Sequence, residues 1–553
     1  MNTKSKVLAL VLALMMLLLA FSLTAMADYE ADAKRFPTSY EGKTVILHTN
    51  DVHGALEGYA YIPELRDQLT ALGAEVITVD AGDFSQGTTY VSYFKGASAV
   101  TMMNAAGYDV VTLGNHEFDF GYQQLMDNLK EASFTTITSN VILDETGESI
   151  LEPAVLYETS TGIKIGFFGM ETPETATKVN PGLIKEISFT TFDALYANAR
   201  KTIDSLSESG ADLIICLAHL GVDDESKPNG YRSIDLYNKV DGIDFIIDGH
   251  SHTVMTAGEN GEPIQSTGTR FAYIGVVVID NETKAIEDNF LISTEGLKKN
   301  EDVAAAAKEI MDEVDGVYGT VFAKTEVLLN GERDPGNRTE ETNLGDLITD
   351  AMVWSVVKEG GIAQEELAHV VGVTNGGGIR ATIEAGDITK NDINTVLPFG
   401  NTVAVVFVTG NQLLEALEAS TYCTPEAIGG YPQTSGIEWT IDTTIPYDQG
   451  AVYTLDGKES SYYAPASIKR VTITAINGQP FDPEAVYAVI TNNFCAAGGD
   501  TYNVFAKAVD ADSGFDTGIP MDEAVIDYVD QVLDGVITAE TYGAPRGYET
   551  QIR

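Results

Sequence analysis

Polar clusters recur in this chain at the ends of apolar runs, and no other pattern restricts the fold as much. Five segments carry it: NDVHG at 50–54, GDFSQG at 82–87, GNHEFDFG at 114–121, AHLG at 218–221 and GHSH at 249–252. Four follow directly on an apolar, strand-like run, and GDFSQG follows one after the short turn Asp80-Ala81. An α/β fold gathers its ligands at the carboxyl ends of its strands, which is where these clusters would lie. Five of the chain's seven histidines sit in them.

Strand-like and helix-like segments alternate through the first half. Strands are expected at 43–48, 75–80, 108–113, 163–168, 211–217, 243–248 and 271–279, with helices near 61–72, 95–106 and 122–132. Such alternation implies α/β architecture. Residues 296–300 break the pattern. Val303, Ala307, Ile310, Val314 and Val317 then recur at helical spacing, with Asn300 as N-cap, so one amphipathic helix is expected over 301–318. A second α/β unit follows, with helices at 344–358, 411–420 and 522–534 and strands at 368–374, 437–441, 470–475 and 486–491. The expected division is a leader at 1–27, a first unit at 40–296, a linker helix at 297–319 and a second unit at 320–553.

Lys4 and Lys6, the apolar stretch from Val7 to Leu23 and the small residues Ala25 and Ala27 have the form of a cleavable signal peptide. No later apolar run could span a bilayer, so the expectation is an exported protein without stable membrane insertion. The formal net charge of −49 excludes nucleic acid as a partner, because phosphate backbones need clustered Lys and Arg. A phosphate-bearing substrate would be repelled at long range, so its binding would depend on local cations. Cys216 falls inside an apolar run and reads as a buried thiol, while Cys423 and Cys495 leave one disulfide possible.

Asp51 and His53 stand two apart at a strand end and can reach one ion, as can His250 and His252. Asp83 can bridge two cations through its two oxygens, and Asn115 offers a neutral carbonyl oxygen. His219 completes the imidazole set. Mixed donors of this kind suit first-row divalent metals, and with His116 the eight groups fit two ions and one catalytic histidine. Asp119 can orient His116 through its second nitrogen, leaving it to stabilise charge or protonate a leaving oxygen. Glu117 reads as a surface residue, and His48 and His369 as structural.

In the second half, Arg338 and Arg380 can make charge-assisted hydrogen bonds to phosphate. Asn375 opens a glycine run, and Gly377 within it allows close backbone approach to a ligand. Phe399 and Phe494 lie beside turn residues and could sandwich a nucleobase. Asp500 could accept hydrogen bonds from ribose hydroxyls.

The ordered set D-x-H, G-D, G-N-H-E, H and G-H-x-H resembles the calcineurin-like metallophosphoesterases, and HTNDVHG, DAGDFSQGT and GNHEFDFG resemble their exported 5′-nucleotidase branch. The resemblance covers about 43–290 and 320–510. It implies a catalytic metallophosphoesterase sandwich joined by a helix to a C-terminal substrate-binding α/β domain that rotates bound nucleotide to the metals. It further implies two divalent ions, zinc, manganese or similar: Asp51, His53 and His252 on one, Asn115, His219 and His250 on the other, Asp83 bridging. His116 with Asp119 would be catalytic. Arg338, Asn375 and Arg380 would bind phosphate or ribose, Asp500 the ribose, and Phe399 and Phe494 the base. Many relatives carry Gln or Asn where His252 stands, which leaves metal preference open. The implied activity is hydrolysis of nucleoside 5′-monophosphates. UDP-sugar or dinucleotide pyrophosphatase action and 2′,3′-cyclic nucleotide phosphodiesterase action need the same metals. A surface nucleotide-binding protein with a structural metal centre is the rival that is not an enzyme. Oligomeric state is left open.

Overall fold

The computed structural model describes residues 39–553 apart from 180–182, 224–225, 359–361, 363–367, 456–457 and 511–513. The expected signal peptide at 1–27 lies outside the described residues.

Two six-stranded sheets face each other in the first half. One runs Ala285–Ser293, Tyr273–Asp280, Lys43–Thr49, Glu75–Asp80, Val110–Thr112 and Thr135–Ile137, with its last four strands parallel. The other runs Val254–Met255, Ile264–Thr267, Phe245–Asp248, Leu213–His219, Lys164–Glu171 and Ala154–Glu158. Alternation along each strand divides its side chains between two layers. Ile46, Ile77, Val79, Phe167, Ile215 and Ile247 fill the seam between the sheets. Their neighbours Val45 and Leu47 pack outward against Leu65, Leu69 and Met103 of covering helices. On the far side Phe168, Cys216 and Ile246 pack against Leu195, Ala199 and Ile203 of the helix Phe192–Glu208. Both sheets are therefore buried on two faces, which explains the near-continuous apolar runs of their strands.

The expected strands are present within three residues at each end. The third is shortest: 108–113 contracts to Val110–Thr112. Asp109, just before it, is tied to the neighbouring strand twice: its N–H donates to the Thr78 carbonyl and its carboxylate accepts the Thr78 N–H, both at 2.8 Å. The helix Glu301–Tyr318 begins where Asn300 accepts from the N–H groups of Asp302 and Val303. Its Val303 and Ala307 join the apolar core of the first half. Near its far end, Asp315 accepts from Tyr90 Oη at 3.1 Å, and Asn391 donates to that hydroxyl at 3.2 Å. The helix thus rests on the first unit while its end meets the second.

The second half centres on a five-stranded sheet in the order Pro432–Ser435, Val370–Asn375, Val486–Asn492, Thr402–Thr409, Gly514–Pro520. Thr402–Thr409 was not expected. Its VAVVFV stretch has no alternation, because both faces are covered. Helices Asn343–Lys358 and Met521–Gln531 cover one face, and Gly410–Ala419 with Asn503–Asp510 covers the other. All three cysteines are free thiols, so Cys423 and Cys495 do not pair. His48 is buried against Gln265, whereas His369 is exposed just before its strand instead of opening it. Among the described residues, no helix is long and apolar enough to cross a membrane.

Phe167 is fully buried between the sheets. Phe167→Ala should therefore cost about 3–5 kcal/mol, read as a lowered midpoint in chemical denaturation with little change in slope.

Candidate metal centre and substrate cleft

The loops leaving the parallel strands turn sharply as soon as each strand ends. Asp51, His53, Asp83, His250 and His252 all have positive φ, between 46° and 74°. This left-handed conformation costs a non-glycine residue roughly 1–2 kcal/mol and is concentrated at functional sites. Here it folds each loop back over the strand ends, so that side chains from separate strands converge. Gly82 and Gly114 make the convergence possible. A Cβ on Gly82 would stand 2.4 Å from the Gly114 nitrogen, and one on Gly114 would stand 2.4 Å from Asp83 Oδ1.

All seven expected metal ligands meet in one cluster, buried except for the partly exposed His250 and His252. His53 Nε2 is 2.9 Å from His252 Nε2, and Asp51 Oδ1 lies 3.8 and 3.4 Å from those two atoms. His219 Nε2 is 3.0 Å from Asp83 Oδ2, and His250 Nδ1 is 2.9 Å from Asn115 Oδ1. Three overlapping groups bring ligand atoms within 4.8 Å of one another: Asp51, His53 and His252; His53, Asp83 and His116; Asp83, His219 and His250. Asp83 belongs to two of them, the position a bridging carboxylate needs.

The hydrogen bonds of the cluster leave electron pairs that cations would fit. His53 Nδ1–H donates to the Gln86 carbonyl at 3.2 Å, so its Nε2 turns a lone pair toward His252. His219 Nδ1–H donates to the Ala81 carbonyl at 2.7 Å. Its Nε2 is buried, and although Asp83 is 3.0 Å away the geometry is not that of a hydrogen bond. Burial pushes the Asp51 carboxyl up to about 6, with the charge of Asp83 adding to the effect. Burial also holds His53 and His252 well below the usual imidazole range. Ring nitrogens, an amide oxygen and carboxylates thus face one another at the base of the cavity. Divalent cations would satisfy every one of them, so the donor set fits the group.

Supporting residues surround the ligands. Glu117 was expected at the surface, but it is almost fully buried. Its carboxylate accepts from the backbone N–H groups of Asp83, Phe84, Ser85 and Gly114 at 2.6–2.9 Å, tying two ligand loops together. Burial, reinforced by the charge of Asp83, pushes it up to about 7. Glu174 was not singled out in the sequence. Its Oε2 lies 3.2 Å from His250 Nε2 and fixes which ring nitrogen faces Asn115. The signal was present: Glu171-Thr172-Pro173-Glu174 is another polar cluster at the end of an apolar strand.

His116 Nδ1–H donates to Asp119 at 2.7 Å, and its backbone N–H donates to Asp83 Oδ1 at 2.9 Å. Its ring faces Phe399, with centroids 5.5 Å apart and planes at 34°. Both line one cavity with Asp83, Asn115, His250 and His252. Arg338, Asn375, Gly377, Arg380, Phe494 and Asp500 line the same cavity, so every candidate substrate residue meets the metal cluster. Asp51, His53 and His219 lie deeper, beneath its floor. Asn375 Nδ2 donates to Asp500 Oδ2 at 2.9 Å. The Arg380 guanidinium lies 5.7 Å from the Phe399 centroid, pushed down to about 10 by burial and the nearby charge of Arg270. Phe494 also belongs to an apolar core, its ring pressed on Gly499. Lys178 and Arg333, not anticipated, line the cavity as well.

Glu117→Ala and Glu174→Ala should each weaken metal retention about 10–100-fold, measured by metal titration of chelated protein. Unchanged affinity in both would remove their supporting role.

Residues 44–254 match the calcineurin-like phosphoesterase family, and residues 321–507 match the 5′-nucleotidase C-terminal domain. The chain is 31% identical over 514 residues to the trifunctional nucleotide phosphoesterase protein YfkN of Bacillus subtilis (strain 168), covering 84% of this chain and 32% of that protein. It is 29% identical over 510 residues to the snake venom 5′-nucleotidase of Gloydius brevicauda, covering 83% and 82%. The crystal structure of a 5′-nucleotidase precursor from Thermus thermophilus is similar with a TM-score of 0.75 at 27% identity, over 92% of this chain and 99% of that one. These matches over both units, with a cluster of candidate metal ligands at the strand ends of the first, place this chain in the family of calcineurin-like phosphoesterases that carry a 5′-nucleotidase C-terminal domain.

Proposed function

We propose that the protein is an exported, metal-dependent 5′-nucleotidase that hydrolyses nucleoside 5′-monophosphates to nucleoside and phosphate. The observation that carries this reading is the shared cavity: metal-cluster residues and the candidate phosphate, ribose and base residues line one space. Two divalent ions held by Asp51, His53, Asp83, Asn115, His219, His250 and His252 would lower the pKa of a water and neutralise phosphoryl charge.

The chain's own residues account for the rest. Arg338 and Arg380 receive the phosphate and offset the long-range repulsion of an acidic protein. Phe399 offers its face to the base, with Phe494 across the cavity. Asp500, held by Asn375, accepts from the ribose. His116, fixed by Asp119, stands outside the ligand set with Nε2 available to stabilise developing charge or to protonate the leaving oxygen. In this reading 40–296 is the catalytic unit, 297–319 the linker and 320–553 the nucleotide-binding unit. The signal-like pattern at 1–27 and the venom relative support export.

A substrate panel on chelated protein after metal add-back tests the reading. Phosphate release from AMP should return with metal and exceed UMP release from UDP-glucose. UMP release without action on AMP would overturn it. His116→Ala should keep both metals and lose about 10²–10⁴-fold in turnover. Unchanged turnover would remove its catalytic role. Phe399→Ala and Phe494→Ala should raise KM for AMP more than for p-nitrophenyl phosphate, and equal effects would argue against a base clamp.

A further inference from the structure

Lys178 reaches across the cleft between the two units. It ends the short helix Thr175–Lys178, one turn beyond Glu174. Its Nζ lies 3.7 Å from Asp500 Oδ1, and the two side chains are 10% and 3% exposed. The ammonium also stands 5.7 Å from the Tyr462 ring centroid, so two groups of the second unit hold it. Both Lys178 and Asp500 line the cavity that contains His116 and Phe399. Gly429 leaves the meeting point open. A Cβ there would lie 3.3 Å from Lys178 Nζ and 3.4 Å from Asp500 Oδ1, intruding on the pair from the cavity wall.

An ion pair removed from water loses much of its hydration, and apolar side chains would join the two units at less cost. The separation is also informative. At 3.7 Å the pair is longer than a charge-assisted hydrogen bond, which closes to about 2.7–2.9 Å. The ammonium and the carboxylate stand near enough to share one small group between them. A hydroxyl meets that requirement, because it donates to a carboxylate and accepts from an ammonium at once. A phosphate does not, because Asp500 would repel it. The other carboxylate oxygen of Asp500 is already oriented by Asn375 at 2.9 Å.

We propose that Lys178 is a specificity-determining residue which, paired with Asp500 across the closed cleft, reads the ribose hydroxyls of the nucleotide. This rests on the nucleotide reading above and adds a residue from the catalytic unit to the recognition of the sugar. Asp500 comes from the second unit and Lys178 from the first, so the sugar is read from both sides of the cleft.

The test compares kcat/KM of the full-length metal-loaded protein for AMP, 2′-deoxy-AMP and 3′-deoxy-AMP, together with Kd values for adenosine and its two deoxy analogues. The wild type should prefer AMP over at least one deoxy analogue by about tenfold or more. Lys178→Met should shrink that preference to within about threefold, chiefly by lowering kcat/KM for AMP, and the nucleoside affinities should converge in parallel. Lys178→Arg keeps a displaced charge and should retain part of the preference. If Lys178→Met does not fold, Lys178→Arg still reads the ratio. Equal losses on all three nucleotides would show a mere clasp between the units and overturn the proposal, as would an unchanged ratio. A wild type that turns over none of the three, while hydrolysing p-nitrophenyl phosphate, would bring down the nucleotide reading and this inference with it.

Discussion

The site depends on electron-rich atoms that the fold forces together. His53 and His252 present ring nitrogens to each other at 2.9 Å, and His219 faces Asp83 at 3.0 Å without a sound hydrogen bond. Asp51, fully buried, lies close to both groups. Left alone, such an arrangement is costly, because buried polar groups need partners and buried charges need counter-charges. Cations in the middle turn the same repulsions into bonds. The surroundings are consistent with that role: backbone carbonyls fix ring tautomers, and Glu117 fastens two loops with four N–H groups.

The rest of the cleft answers a second constraint, that of an acidic protein handling an anionic substrate. Lys178, Arg333, Arg338 and Arg380 line the cavity and concentrate positive charge where the whole molecule is negative. Each unit also supplies a cation paired with a carboxylate of the other: Lys178 with Asp500, and Arg333 with Asp223 at 3.3 Å. Charge in the cleft thereby depends on how the two units are juxtaposed, which neither unit determines alone.

Much of this was legible in the sequence, for local reasons. Strand ends followed by Asp, His and Asn mark the ligand positions because parallel strands deliver their carboxyl ends to one edge. The helix Glu301–Tyr318 was legible because its period and its Asn300 cap are both local. What failed to show was set by contacts distant in sequence. Glu117 looks like a surface residue until the loop at 82–85 folds over it and brings three N–H groups. Thr402–Thr409 lost its alternation to burial on both faces. The Lys178–Asp500 pair joins opposite halves of the chain, and neither residue has a neighbour that announces the other. Glu174 is different, since its place at the end of an apolar strand is itself a local signal.

The left-handed backbone at Asp51, His53, Asp83, His250 and His252 separates the path of the chain from the chemistry it carries. Asn and Gly take up that conformation at least as readily as Asp or His. Exchanging a ligand for glycine would erase a donor and leave each loop its course. A lineage could therefore silence the reaction in a few steps and still inherit an intact cleft, ready to serve as a receptor.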